Sequence, residues 1–461
     1  MSDWRSKYFV VLCQHHMNIY KKIESEYMEH TQKQAPTILS GAKEFLFGST
    51  MNLLLAAVPL AFISDAAGWP EGATFVFALI AICPLAERLG FVTEQLALHT
   101  NETIGGLLNV SFGNATELIV ALSALFQGLF RVVQLTLLGS ILSNMLLVLG
   151  CAFLFGGFKH SQQKYGKITS QVNMTLLMLS VMGLMFPTIL VSSTSVSNLS
   201  DIGYSRFTSI VLFSMYLLFL YFQLFTHRHL YEDQPEIETI TSPLLPVPNG
   251  NVAPMEQSDI DSAQLVVRDL EAGKAAPGGL VAKSSASDDK PEDNNDDEEE
   301  EDLLGWWPAL AWLAAVTILI SFLSDILVAT ISSTASSAGI SGVFLSAIVI
   351  PIVGNAAEHA GAVMFARKNK CDLAISIAVG SSTQIALMVM PLLVLIGWMG
   401  GRDLTLDFHP YESATMLLTV ITVAFAIIDG TSTYLVGAVL IGAYFIVAAG
   451  FWAHSPEDLN V

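Results

Sequence analysis

Apolar residues in this chain gather into runs of about 20, the length that spans a bilayer core, separated by short polar links. Each run is apolar all round, as a helix surrounded by lipid or by other helices must be. Eleven spans are predicted, near 46–65, 71–92, 101–127, 131–156, 170–191, 206–226, 305–327, 341–366, 373–398, 411–429 and 432–453. Barrel strands would alternate with period two, and these runs do not. The predicted fold class is an all-α polytopic membrane protein.

The pattern also divides the chain. Residues 1–45 are mixed and charged, form no signal peptide, and are expected to be a cytosolic N-terminal segment, so insertion falls to the first span. Residues 46–65 form that first span, 71–226 and 305–453 hold five spans each, and 454–461 are a short tail. Between the halves lies 227–304, rich in Pro, Gly, Ser, Asp and Glu, too polar to bury a core and expected to be mostly disordered cytosolic loop.

Charge changes the picture little. The formal net charge is −20, but residues 230–304 alone hold 20 acidic and 4 basic residues. The remainder is nearly balanced, so no basic face for nucleic acid is implied. The acidic run is read as a solvated segment with at most a weak pull on cations. Lys159, Lys164 and Lys167, and Arg367, Lys368 and Lys370, mark two links that eleven spans place in the cytosol, with the N-terminus. Opposite links carry single basic residues such as Arg131, Arg206 and Arg402. Four scattered cysteines show neither disulfide nor zinc spacing.

A repeat carries the chemistry. GNATE stands at 113–117 and GNAAE at 354–358, and Gly139-Ser140 and Gly380-Ser381 keep the same offset of 241 residues despite the insert. Spans two to six and seven to eleven therefore read as two copies of one unit. Five is odd, so the second copy enters the membrane inverted, with a binding site expected where the copies meet. The first span is extra.

Within each motif, Gly113 or Gly354 lets the helix break or another backbone approach. Asn114 and Asn355 offer amide groups, and Glu117 and Glu358 follow three residues later on the same helix face. A charge at the bilayer centre costs roughly 2.5–3.5 kcal/mol on insertion scales. Two carboxylates also repel, so protons or a metal cation must come between them. Oxygen-only ligands suit a hard ion, and Ca²⁺ accepts six to eight in loose geometry. The same acids can hold protons instead, because burial and like charge both favour the neutral form. Competition between H⁺ and Ca²⁺ for Glu117 and Glu358 is the core of an antiporter.

Further groups fall near this pair. Ser140 and Ser381 lie 23 residues after their glutamates, Gln384 one turn beyond Ser381, and Asn144 on span four. His359 stands where the first copy has Leu118, and either passes a proton or is a hydrogen-bonded structural histidine. Ser140 either ligates, directly or through water, or bonds its own helix. Glu87 and Asp325 are candidate gates or relays, although pairing of Glu87 with Arg88 near the membrane face is the favoured alternative. Helix packing explains one small-polar motif readily, and two at a constant offset poorly.

GNATELIVALSAL and PIVGNAAEHAGAV closely resemble the paired repeats of the cation/proton exchangers called CAX, within the cation/Ca²⁺ exchanger superfamily. GSILSNMLLVLG and VGSSTQIALMVMP resemble that family's companion helices, and the likeness covers about 45–453. It implies Ca²⁺ export from the cytosol into an acidic compartment, typically across a vacuolar membrane, driven by returning protons. By the resemblance, Glu117 and Glu358 carry cation and proton, and Asn114, Asn355 and backbone carbonyls complete the coordination. Ser381, Gln384 and His359 match family positions near the site. Residues 1–45 share little with the regulatory N-terminal segment of plant members.

The alternative on the same scaffold is a Na⁺-coupled Ca²⁺ exchanger, which needs further monovalent sites. The motifs HExxH and GxSxG do not occur, which argues against an intramembrane hydrolase. Inverted repeats with broken helices typify carriers over channels. No cofactor is expected beyond Ca²⁺ as substrate. The expected partners are Ca²⁺, H⁺ and lipid, with homo-oligomerisation left open.

Overall fold

The computed structural model describes residues 48–193, 198–230 and 303–453. The N-terminal segment 1–45, nearly all of the acidic segment and the tail at 454–461 lie outside the described residues. Helices account for the apolar runs. In order they are α1 (Thr50–Ala66), α2 (Glu71–Leu98), α3 (Glu102–Phe112), α4 (Ala115–Phe126), α5 (Phe130–Lys159), α6 (Lys167–Ser193) and α7 (Asn198–Tyr221). After the acidic segment come α8 (Trp306–Ala338), α9 (Gly342–Gly354), α10 (Ala356–Arg367), α11 (Cys371–Met399), α12 (Pro410–Ile427) and α13 (Tyr434–Trp452).

Among the described residues, eight helices are long and apolar enough to cross a membrane: α2, α5, α6, α7, α8, α11, α12 and α13. The pair α9–α10, bent by 51°, passes together as a ninth, and α1 and α4 are shorter apolar helices. Local signals fix several ends. The Ile104 N–H donates to Asn101 Oδ1 at 2.8 Å, starting α3. α8 runs past the expected end of its span to Ala338, where Gly339 closes it at φ 65° in the left-handed region that suits glycine. The third predicted span is two helices, α3 and α4.

The helices pack into one apolar core. α8 lies along α2 and touches α4, α1 covers α2, α6 packs on α12 and α7 on α11. α5 is the most enclosed, held between α9, α10 and α13. Its crossing with α13 depends on Gly437, where a Cβ would lie 2.3 Å from the Leu154 nitrogen and 2.6 Å from the Gly150 carbonyl. Large apolar side chains such as Trp307, Phe425 and Ile446 point outward, as lipid-facing surfaces require.

The two ends of the bundle are tied differently. At one end, strand β1 (Gln163–Lys164) pairs antiparallel with β2 (Thr431–Ser432). There Gln163 Nε2 donates to the Ala366 carbonyl at 2.6 Å and the Gly166 N–H to Asp372 Oδ1 at 2.6 Å. The two lysine- and arginine-bearing links thus meet at the same end. At the other end, residues 403–409 form an extended strap, burying Leu404, Leu406 and Phe408. Arg131, expected in a link, is in the first turn of α5 and pairs with Glu412 at 2.5 Å, whose side chain is fully buried. Gln134 fixes the strap by donating to the carbonyls of Thr405 and Asp407.

Candidate functional site

Both motifs interrupt a helix, and the interruption sits on asparagine. Asn114 (φ −114°, ψ 26°) separates α3 from α4, and Asn355 (φ −89°, ψ 20°) separates α9 from α10. Both lie in the sparsely used bridge region near ψ 0°. Gly354 is in open space, so its part is freedom at the bend, not close backbone approach.

Each break starts a new helix with its glutamate in the first turn, Glu117 on α4 and Glu358 on α10. The positive end of a helix dipole stabilises such a carboxylate by about 0.3–1 kcal/mol, up to about 2 when partly buried. That offsets only part of the cost of charge in the bilayer, so a cation or proton must supply the rest. Both carboxylates line one cavity of about 40 Å³, together with Ala86, Leu89 and Gly90 of α2, Phe112, Gly113 and Thr116. This is room for a few waters or one stripped cation. A second cavity of about 30 Å³ reaches from Glu117 past Thr116 to Ser140, Gly354 and Asn355. Among the described residues, neither is lined by a lysine or arginine.

A polar chain joins the breaks. Asn114 Nδ2 donates to Gln384 Oε1 at 2.6 Å, and Asn114 Oδ1 accepts from Ser381 Oγ at 2.7 Å. Ser381 Oγ in turn accepts from Asn144 Nδ2 at 3.0 Å. Asn144 Oδ1 accepts from Asn355 Nδ2 at 2.9 Å, and Asn355 Nδ2 also faces the Ser140 carbonyl at 3.4 Å. The asparagine of each motif is thus held by the companion helix of the other half, Asn114 by α11 and Asn355 by α5. Asn114 and Asn144 are held at both amide atoms and Asn355 at its nitrogen, which fixes where each break points.

His359 Nδ1 lies 2.7 Å from the Asn355 carbonyl oxygen. A carbonyl only accepts, so Nδ1 carries the hydrogen and the neutral ring leaves Nε2 as acceptor. Nε2 is buried without a partner among the described residues. The Ser140 hydroxyl makes no bond to its own helix there and faces the smaller cavity.

Two candidates stay apart. Glu87 pairs with Arg88 at 2.9 Å, while its neighbours Ala86, Leu89 and Gly90 face the carboxylates. Asp325 is exposed and accepts from Ser123 Oγ at 2.5 Å, two turns along α4 from Glu117. Sequence reasoning passed over Thr116, which lines both cavities, and Glu412, marked only by the turn pattern His409-Pro410-Tyr411-Glu412.

A membrane bundle whose helix breaks deliver two carboxylates to one interior cavity is a secondary transporter, not an enzyme. The chain belongs to the sodium/calcium exchanger protein family, whose sequence model matches residues 70–225 and 308–453. It is 41% identical over 428 residues to vacuolar cation/proton exchanger 3 of Oryza sativa subsp. japonica, covering 92% of this chain and 90% of that one. It is 42% identical over 426 residues to vacuolar cation/proton exchanger 5 of Arabidopsis thaliana, covering 91% and 84%. Among solved structures, native YfkE superposes with TM-score 0.65 at 30% identity, over 88% of this chain and all of that one. The H⁺/Ca²⁺ exchanger CAX gives 0.55 at 12% identity, over 87% and 91%, a likeness of fold alone.

Proposed function

We propose that the protein is a Ca²⁺/H⁺ antiporter that moves cytosolic Ca²⁺ into an acidic compartment, the vacuole, in exchange for protons. The observation that carries this is the placement of Glu117 and Glu358 on one small cavity with no basic side chain in its lining. Two carboxylates match one divalent ion or two protons, and once protonated they no longer offset a divalent charge. Selenium-substituted YfkE is described as a Ca²⁺/H⁺ antiporter. The relatives that cover most of the chain are named cation/proton exchangers, which favours protons over sodium as counter-ion.

In this reading Asn355, with carbonyls at Gly113 and Gly354, completes the cation's coordination, and Asn114, its amide held by Ser381 and Gln384, positions the first break. Asn144, Ser140, Ser381 and Gln384 hold the breaks in place, and His359 relays a proton through Nε2. Counting α3–α4 and α9–α10 as one broken span each gives eleven spans. The motif offset of 241 residues makes α2–α7 and α8–α13 two copies of opposite orientation. The end with β1 and β2 faces the cytosol, together with the N-terminal and acidic segments. Protons entering from the acidic side neutralise the pair and are displaced by Ca²⁺ on the cytosolic side. Rocking of one copy against the other then exposes the ion to the lumen.

Purified protein in vesicles tests this directly. Uptake of radioactive Ca²⁺ is expected to follow an imposed pH gradient and to ignore a Na⁺ gradient. Glu117→Gln and Glu358→Gln keep shape and remove the titratable charge. Each is expected to abolish uptake while the protein still inserts. Wild-type flux in either variant refutes the assignment.

A further inference from the structure

The two halves of the site are not equivalent, and the difference centres on Thr116. Threonines within these helices usually bond the carbonyl four residues back, as Thr93 does to Leu89, Thr136 to Val132 and Thr383 to Val379. Thr116 is the second residue of α4, and four residues back lies Phe112, the end of α3 across the break. Its hydroxyl therefore has no helical carbonyl to bond and no partner among the described residues, while the residue lines both cavities.

Another free oxygen belongs to a residue lining the same cavity. Asn355 Oδ1 is fully buried and accepts no hydrogen bond among the described residues, because only its Nδ2 is engaged. With Ser140 and Glu117, Thr116 and Asn355 form the polar corner of the cavity of about 30 Å³, whose remaining wall is mostly apolar, with Leu79, Ile82, Leu137 and Pro351 in it. The matching positions around Glu358 offer nothing similar. Ala357 has no oxygen, Asn114 Oδ1 is taken by Ser381, and the Ser381 hydroxyl is itself engaged on both sides.

We propose that the Thr116 hydroxyl is a ligand of the transported Ca²⁺, in a seat displaced from the midpoint of the two carboxylates toward Glu117. This rests on the antiporter reading above and adds to it an off-centre seat and a selectivity element. Ca²⁺ takes six to eight oxygens at 2.3–2.6 Å in flexible geometry, and a rotatable neutral hydroxyl raises the count without adding charge. Mg²⁺ and Mn²⁺ are satisfied by six in octahedral array, so the extra ligand favours the larger ion.

The test uses the purified full-length protein in vesicles under a fixed pH gradient, with Ca²⁺ and Mn²⁺ as probes. Thr116→Val keeps the shape and removes the hydroxyl. It is expected to raise KM for Ca²⁺ about tenfold, equivalent to about 1.4 kcal/mol, and KM for Mn²⁺ less than about threefold. Thr116→Ser is expected to stay within about twofold of wild type. An unchanged Ca²⁺ KM in Thr116→Val, with Glu117→Gln inactive, overturns the seat and leaves the antiporter standing. Wild-type transport by Glu117→Gln overturns both. Loss of Ca²⁺ transport in Thr116→Ser at an unchanged melting temperature shows that the methyl group matters, and also overturns the seat. If Thr116→Val melts early, the smaller Thr116→Ala takes its place under the same criteria.

Discussion

Gly139 and Gly380 occupy the same place in the repeated motif, yet replacing them with alanine should have opposite outcomes. A Cβ on Gly139 would lie 2.1 Å from the Ala347 carbonyl oxygen, 2.7 Å from its carbon and 2.6 Å from Pro351 Cγ. Two of these atoms are backbone, so no side chain can swing aside. Ordinary contact begins near 3.4 Å, so α5 and α9 must part by about 1.3 Å. Overpacking of this kind costs about 1–3 kcal/mol. Its effect on transport is larger. Ser140 and Asn144 follow on α5, and Asn355 ends α9, so parting these helices pulls the 2.9 Å bond between Asn144 and Asn355 beyond hydrogen-bond length. Misplacing a binding group by about 1 Å can cost about a hundredfold in rate. At Gly380 the nearest atom is Ser376 Oγ at 3.8 Å, and alanine fits. Ca²⁺ uptake and melting temperature in detergent, measured on both variants, check this. Gly139→Ala is expected to lose about a hundredfold in uptake and melt lower, while Gly380→Ala stays within about twofold. Equal effects at the two sites, or wild-type uptake by Gly139→Ala, refute the argument.

Two more outcomes are expected. Glu412→Gln leaves Arg131 without its buried partner, a change that costs about 3–5 kcal/mol and should appear as a large fall in melting temperature. The double variant Arg131→Met, Glu412→Leu should recover much of that loss, and no recovery argues against the ion pair as the cause. If protons and Ca²⁺ claim the same acids, as proposed, the pH dependence has a fixed sign. Acidifying the face from which Ca²⁺ binds should raise its apparent KM, by up to about a hundredfold per pH unit when both carboxyls must release a proton. An apparent KM that is flat with pH refutes shared acids.

The sequence alone determined the helical membrane class and singled out two acids as candidates. Apolar runs of membrane length leave the backbone no choice but helix, since only helix or closed barrel satisfies every peptide group in lipid. A carboxylate inside such a run is costly enough that its repetition in GNATE and GNAAE marks a candidate site. What the tertiary structure decided is how those elements meet. Gly139 and Gly380 share one motif, but only Gly139 falls at a helix crossing. Arg131 read as a link residue until folding brought Glu412, 281 positions away, against it. Thr116 carries no signal in GNATE, because a hydroxyl's freedom depends on whether a helical carbonyl lies four residues behind, and the helix break at Asn114 separates it from Phe112. Periodicity records what a residue costs along its own helix. Which partner meets that cost is set by contacts across hundreds of residues, and these exist only once the helices have packed.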